Sequence, residues 1–221
     1  AAVQINILNA DGPGEGFNDP TPVAPVGGNP GTTLGQQRLY AFAYVANIWG
    51  ANLTSSVPVL VAASFDPLTC TSTGAVLGSA GATQIFADDS FPKADTWYSF
   101  ALANKIVGFD IDPGAAQLRA RFNSNLGNPG CLDGSPFYLG VDNNVPVGQV
   151  NLVTTLLHEF GHGLGFQTFT STATGAPFFG LPSIWDHYLY DNSFGKNWVQ
   201  MTDAERAASA INPRQLVWAG S

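Results

Sequence analysis

The spacing of apolar residues along the chain predicts an α+β fold. Apolar side chains at every second position or in short runs predict strands at residues 3–8, 57–65, 117–122 and 137–141. Apolar side chains at helical spacing predict helices at residues 34–49 and 97–106. The predicted order begins with a strand and a helix, and further strands follow.

The most regular apolar spacing lies further along the chain and surrounds charged residues. Apolar side chains recur at every fourth position, at Leu152, Leu156, Phe160 and Leu164, which predicts a largely buried helix. The same helix would contain His158, Glu159 and His162. A carboxylate is costly to bury without a partner, and a divalent cation compensates its charge effectively. The alternative is a buried helix whose His and Glu side chains only satisfy one another.

Residues 158–162, His-Glu-Phe-Gly-His, have the spacing of a zinc-binding helix. An α-helix turns by roughly 100° per residue, so His158 and His162 would lie one turn apart on one face and could bind one metal ion. Glu159 would point away from that line, where it could accept a proton from a metal-bound water without being a ligand. The sequence therefore predicts His158 and His162 as zinc ligands and Glu159 as the catalytic base.

The stretch 158–166 resembles the active-site helix of the HExxH zinc peptidases, and Gly165 makes it similar to the metzincin branch. Compact metzincins have a third His at the position that Thr168 occupies here, so the closer similarity is to leishmanolysin-like peptidases, which have an insertion before the third ligand. The resemblance implies a twisted mixed β-sheet, a long helix and an active-site helix in residues 1–166. It also implies a smaller, irregular or helical C-terminal subdomain, residues 167–221, that supplies the third ligand. In such peptidases an edge strand pairs with the substrate, and residues 117–123 are the candidate.

The third zinc ligand must come from a separate segment, because a catalytic zinc ion usually has three protein ligands. Residues 182–191 contain the remaining His, His187, beside Asp186, and Pro182 suggests the start of a short helix. Secreted bacterial metallopeptidases with a similar arrangement have an acidic residue at the Asp186 position. Asp186 is therefore the preferred ligand, and His187 remains the alternative.

The single methionine, Met201, has two possible interpretations. By resemblance it corresponds to the methionine that metzincins place in a tight turn below the metal. Alternatively, Thr202 to Glu205 form a capping box, and Met201 is the apolar residue that packs back on the helix that follows.

Composition restricts the partners and the compartment. Only 11% of the 221 residues are charged and the net charge is −8, which disfavours nucleic acid and anionic membranes as partners. Cys70 and Cys131 lie between turn residues and are not in a C-x-x-C arrangement, so we predict a disulfide and, with it, secretion. Acidic clusters at residues 88–89, 110–112 and 142–144 could bind a structural Ca²⁺, although none has the EF-hand pattern.

These observations predict a secreted, monomeric zinc endopeptidase that acts on protein or peptide substrates. The sequence has no nucleophile elbow, no phosphate-binding loop and no dinucleotide-binding motif, so the serine-hydrolase and nucleotide-binding classes lack support. The alternative is a non-catalytic zinc-bearing binding or adhesion module descended from a peptidase. The presence of Glu159 favours the enzyme.

Overall fold

The computed structural model describes residues 2–220, which contain four α-helices and thirteen short strands. The helices are α1 (Leu34–Asn52), α2 (Phe100–Val107), α3 (Leu152–Leu164) and α4 (Asp203–Ala210). The strands are β1 (Ile5–Asn9), β2 (Val59–Asp66), β3 (Cys70–Thr71), β4 (Gly74–Ala75), β5 (Gly78–Ala82), β6 (Ile85–Phe86), β7 (Tyr98–Ser99), β8 (Leu118–Asn123), β9 (Phe137–Tyr138), β10 (Val150–Asn151), β11 (Leu189–Asp191), β12 (Lys196–Asn197) and β13 (Leu216–Trp218). Short 3-10 helices lie at Gly16–Asn18, Phe178–Gly180, Ile184–His187 and Trp198–Gln200.

A four-stranded mixed sheet forms the centre of the fold, with the strand order β1-β2-β8-β5. The first three strands are parallel, and β5 runs antiparallel to β8 at one edge. Parallel strands need crossover connections, and the long helix α1 connects β1 to β2. The predicted α+β class with a mixed sheet and a long helix is confirmed.

Aromatic side chains join the sheet to α1 and α3. Phe42 of α1 lies at the centre, with its ring centroid 5.2 Å from that of Phe122 in β8 and 5.9 Å from that of Phe160 in α3. Phe17 and Phe65 contact the same ring, at 4.8 Å and 5.8 Å. These edge-on and tilted contacts are the arrangements that aromatic pairs favour, so the core fixes α3 against the sheet.

The predicted elements agree with the structure, with differences at their ends. Helix α1 begins where predicted, because the Thr33 hydroxyl accepts a hydrogen bond from the Gln36 N–H and caps it. Helix α2 begins three residues later than predicted, because the preceding residues pair with β6 as strand β7. The strand predicted at residues 137–141 is shorter and consists of β9 alone.

The prediction of an edge strand at residues 117–123 is wrong. Strand β8 pairs with β2 on one side and with β5 on the other, so it lies inside the sheet. The edge strand on this side of the sheet is β5, whose sequence Gly-Ser-Ala-Gly-Ala lacks the β-branched and aromatic residues that favour strands. A side chain at Gly78 would place its Cβ 2.8 Å from the Phe122 ring, so packing against β8 requires a small residue there.

The C-terminal part is built around a small sheet and one buried carboxylate. Strand β11 lies between β12 and β13, and its last residue, Asp191, is fully buried. Burial by itself raises the pKa of Asp191, but hydrogen bonds from the Ser193 and Ser209 hydroxyls and from two backbone N–H groups outweigh it and lower the pKa to about 2.

Two further predictions concern covalent and membrane topology. Cys70 and Cys131 form a disulfide, as predicted. It connects the hairpin of β3 and β4 to the loop that follows β8. Among residues 2–220, no helix combines the length and the apolar character needed to cross a bilayer.

Candidate metal centre

Helix α3 is shaped by an amide cap, an apolar face and two close-packed glycines. The Asn151 side chain accepts a hydrogen bond from the Thr154 N–H at the start of the helix. The predicted face is fully buried at Leu152, Leu156 and Phe160 and partly buried at Leu164. Gly163 lies so close to β8 that a Cβ there would be 2.4 Å from Leu118 Cδ2, and Gly165 ends the helix with a φ of 128°.

The two histidines of α3 face each other at its surface. Their Nε2 atoms are 3.0 Å apart, and the rings are nearly perpendicular. His162 Nδ1 is 2.8 Å from the Phe166 carbonyl oxygen, which can only accept a hydrogen bond. The proton of a neutral His162 is therefore on Nδ1, and Nε2 presents a lone pair towards His158.

Glu159 connects α3 to the edge strand. Its Oε2 accepts a hydrogen bond from the Ala80 N–H at 3.1 Å, and Oε1 makes no hydrogen bond to the described residues. Leu77 and Thr83, which flank β5, form backbone hydrogen bonds with β8. Because these bonds alternate along an antiparallel strand, the backbone N–H and C=O groups of the odd-numbered residues of β5 also point towards β8. The backbone groups of Gly78, Ala80 and Ala82 consequently point to the outer edge, where Glu159 lies.

Asp186, the predicted third ligand, is 1% exposed and lies in the 3-10 helix that Pro182 was expected to open. Its Oδ1 accepts a hydrogen bond from the Thr168 hydroxyl at 2.6 Å, and its Oδ2 accepts one from the Thr170 hydroxyl at 2.7 Å. His187 Nε2 is 3.0 Å from the Thr96 hydroxyl. Burial lowers the pKa of His187, the charge of Lys93 lowers it further, and Asp186 opposes both.

The structure brings two of the predicted ligands together. Within residues 2–220, no group of three or more His, Cys, Asp or Glu side chains is arranged to hold a metal ion. Asp186 and His187 therefore do not join the histidine pair in this geometry. Among the described residues, the acidic clusters predicted for calcium form no such group either. Asp88 and Asp142 instead accept hydrogen bonds from the nearby residues Ser90 and Asn144.

Met201 is buried beside a confirmed capping box. The Thr202 hydroxyl accepts from the Glu205 N–H, and the Glu205 carboxylate accepts from the Thr202 N–H. The Met201 carbonyl also accepts a hydrogen bond from Arg206. These contacts agree with the capping interpretation, and the metal-turn interpretation remains a prediction.

A cleft adjoins His162, and a second cavity lies beside the C-terminal end of α3. The cleft has a volume of about 420 Å³, and its walls include Ala80, His162 and Thr168. The second cavity, about 310 Å³, is lined by aliphatic and aromatic residues, including Trp49 and Trp185. Clefts of this size beside polar groups are the usual setting of binding sites.

Several residues of the site were not found from the sequence. They are the Ala80 N–H, the Phe166 carbonyl and the Thr168 and Thr170 hydroxyls. Two of these groups belong to the backbone, which every residue has, so no residue type distinguishes them. The two threonines could have been noticed only as hydroxyl donors close in sequence to the motif.

By the chemistry of its donors, the histidine pair could supply two of the three protein ligands that a catalytic zinc ion usually has. Imidazole nitrogen is a common zinc ligand, and a zinc-binding His usually donates its other N–H to a carbonyl or carboxylate, as His162 does to Phe166. In the absence of a cation, two Nε2 lone pairs 3.0 Å apart would repel unless one nitrogen were protonated. The donors therefore suit a divalent cation.

The fold and the site define an α+β chain with a mixed sheet and a pair of histidines on one helix. In comparisons with known proteins, the chain matched no family profile, no curated protein and no solved structure. The function is therefore argued from the geometry of the site.

Proposed function

We propose that this protein is a zinc-dependent endopeptidase. The observation that supports the proposal best is the pair of facing Nε2 atoms of His158 and His162, with Glu159 between them in sequence and directed to an edge strand. This combination provides two metal ligands, a carboxylate and an edge where an extended chain can bind.

Glu159 and the Ala80 N–H would have separate roles in the reaction. A bound zinc ion would supply a Lewis acid for the scissile carbonyl and a water molecule of lowered pKa. Glu159 would accept the proton of that water on Oε1, which has no hydrogen-bond partner among the described residues, and would deliver it to the leaving amine. The Ala80 N–H would keep the carboxylate oriented through Oε2.

The outer edge of β5 is the proposed substrate platform. An extended peptide can add to a sheet edge through backbone hydrogen bonds, and Gly78 and Ala82 direct their backbone groups outward on either side of Ala80. Such pairing recognises the peptide backbone and would bring a peptide bond across the cleft beside His162. This favours a polypeptide substrate over a small ester or amide.

We also propose secretion, because disulfides persist in oxidising compartments and Cys70 is bonded to Cys131.

The test compares wild type with Glu159→Gln, using zinc content and cleavage of an unfolded protein such as casein. We expect Glu159→Gln to keep its zinc and to lose about two to four orders of magnitude in kcat/KM, which is the typical contribution of general base catalysis. Glu15→Gln is the matched control, because Glu15 is exposed and its carboxylate contacts only the N-terminal loop.

Three results would contradict the proposal. Full activity of Glu159→Gln would refute the catalytic base, and wild type without zinc would refute the metal centre. Wild type that binds zinc but cleaves nothing would instead identify a non-catalytic zinc-bearing module.

A further inference from the structure

The carboxylate of Asp186 fixes the segment that follows α3. Hydroxyls of Thr168 and Thr170 donate to its two oxygens, and Oδ2 also accepts the Ser183 N–H at 2.9 Å. The Ser183 hydroxyl in turn accepts the Asp186 N–H, which completes a capping box of the 3-10 helix. A carboxylate offers about four acceptor positions, and three are used here. Asp186 thus ties two distant parts of the chain together.

The segment fixed by Asp186 also orients a histidine. Phe166, two residues before Thr168, accepts a hydrogen bond from His162 Nδ1. The backbone between them is itself constrained, because the Thr170 N–H donates to the Thr168 hydroxyl and the Phe166 N–H donates to the Gly161 carbonyl. A change at Asp186 would therefore be transmitted to the Phe166 carbonyl and to the His162 ring.

We propose that Asp186 is a positioning residue for His162 and not a metal ligand. By holding Thr168 and Thr170 it fixes the Phe166 carbonyl, which keeps the His162 proton on Nδ1 and the lone pair on Nε2. This inference rests on the proposed function and replaces the role that the sequence suggested for Asp186. Its physical basis is that the carboxylate is nearly inaccessible, satisfied by hydroxyls, and not grouped with the histidines.

The first measurement needs no metal. The chain has three His, so ¹⁵N NMR of the imidazole rings can report the tautomer of His162 in the metal-free protein. We expect the Nδ1–H form in wild type, and a larger share of Nε2–H in Asp186→Asn and in the double variant Thr168→Val/Thr170→Val. Asp89→Asn, an exposed carboxylate without a hydrogen bond in the described residues, should match wild type.

The second measurement is zinc stoichiometry and affinity, by competition with a chelator. Loss of a group that orients a metal-binding His typically lowers affinity by about 10- to 100-fold without removing the site. We expect this loss in Asp186→Asn and in the double threonine variant, with one zinc per chain at saturation. Thr73→Val, at an exposed turn, is the control for the Thr→Val change, and His162→Ala is the reference for loss of a ligand.

The outcomes separate the two roles. If Asp186→Asn loses zinc as completely as His162→Ala while the double threonine variant binds like wild type, Asp186 is a ligand and the inference is wrong. The inference would also be wrong if Asp186→Asn and the double threonine variant both kept the wild-type His162 tautomer and the wild-type zinc affinity. Wild type without zinc would refute the proposed function and this inference with it. If Asp186→Asn does not fold, the double threonine variant, which keeps the carboxylate, provides the same test.

Discussion

Two glycines of the motif helix, Gly161 and Gly163, should respond to alanine in opposite ways. Both have helical backbone, so Gly→Ala at either site gains about 1 kcal/mol of helix propensity. At Gly161 the added Cβ would lie 3.5 Å from the nearest atom of Trp49, which is ordinary van der Waals contact. At Gly163 it would lie 2.4 Å and 2.6 Å from Cδ2 and Cγ of Leu118.

The magnitude at Gly163 follows from how little Leu118 can move. Leu118 is fully buried in β8, between two hydrogen-bonded strands, so relief of the clash requires a shift of α3 or of the sheet. Overpacking of this kind typically costs about 1 to 3 kcal/mol. We therefore expect Gly161→Ala to stabilise the protein by up to about 1 kcal/mol and Gly163→Ala to be less stable than Gly161→Ala by about 1 to 3 kcal/mol.

Urea unfolding of the two variants in the presence of a chelator measures this difference. The chelator removes the contribution of metal binding to stability, which would otherwise depend on zinc concentration. The comparison also cancels the propensity term, because it is common to both substitutions. Equal stability of Gly161→Ala and Gly163→Ala would show that α3 does not pack on Leu118 as closely as the structure has it.

Three further predictions concern stability. The pKa of Asp191, about 2 when folded against an ordinary 3.8, corresponds to about 2 kcal/mol of folding stability. This stability is present above pH 4 and is lost as the pH falls towards 2. The difference in unfolding free energy between wild type and Asp191→Asn should therefore shrink between pH 4 and pH 2. A difference that stays constant over this range would contradict the prediction. Replacing Cys70 and Cys131 by Ser opens a loop with a sequence separation of 61 and should cost about 4 kcal/mol in the same assay, whereas a cost near zero would refute the cross-link. Thr202→Ala should cost about 1 kcal/mol through loss of the helix cap of α4, with the exposed Thr73→Ala as control.

The helices and strands of the core were predictable because the spacing of their apolar residues reflects which side chains are buried. Leu152, Leu156 and Phe160 recur every four residues because they occupy one face of a helix, and each is fully buried. The strands β1, β2 and β8 were predicted for the corresponding reason. Their apolar side chains follow the two-residue repeat of a pleated strand or form a continuous run in a strand buried inside the sheet.

Strand β5 was not predicted because its small residues allow close packing against neighbouring elements but have low strand propensity. Gly78 avoids a clash with Phe122, and the other small side chains allow α3 to approach the edge. Glycine and alanine are depleted in strands generally, so no strand was predicted at these residues. The substrate edge was consequently assigned to the neighbouring strand.

The site was predicted as far as one helix determines it. The i, i+4 spacing placed His158 and His162 together, as observed at 3.0 Å between their Nε2 atoms. The surroundings of Asp186 depend on Thr168 and Thr170, which are 18 and 16 residues away, and on the path of the chain between them. No local sequence pattern encodes such a contact. The role of Asp186 could therefore be predicted only from the ability of a carboxylate to bind zinc.

The outer edge of β5 also bears on how copies of the protein behave beside one another. An edge strand with free N–H and C=O groups can pair with the same strand of a second molecule, and small side chains would not hinder that approach. Glu159 interrupts the row of free donors by accepting the Ala80 N–H, and it brings a charge to the edge. Glu159→Ala is therefore expected to self-associate at lower concentration than Glu159→Gln, whose amide oxygen still accepts that N–H, and sedimentation velocity would reveal the difference. The carboxylate proposed to act on peptide bonds would then also keep the protein from joining its own copies edge to edge.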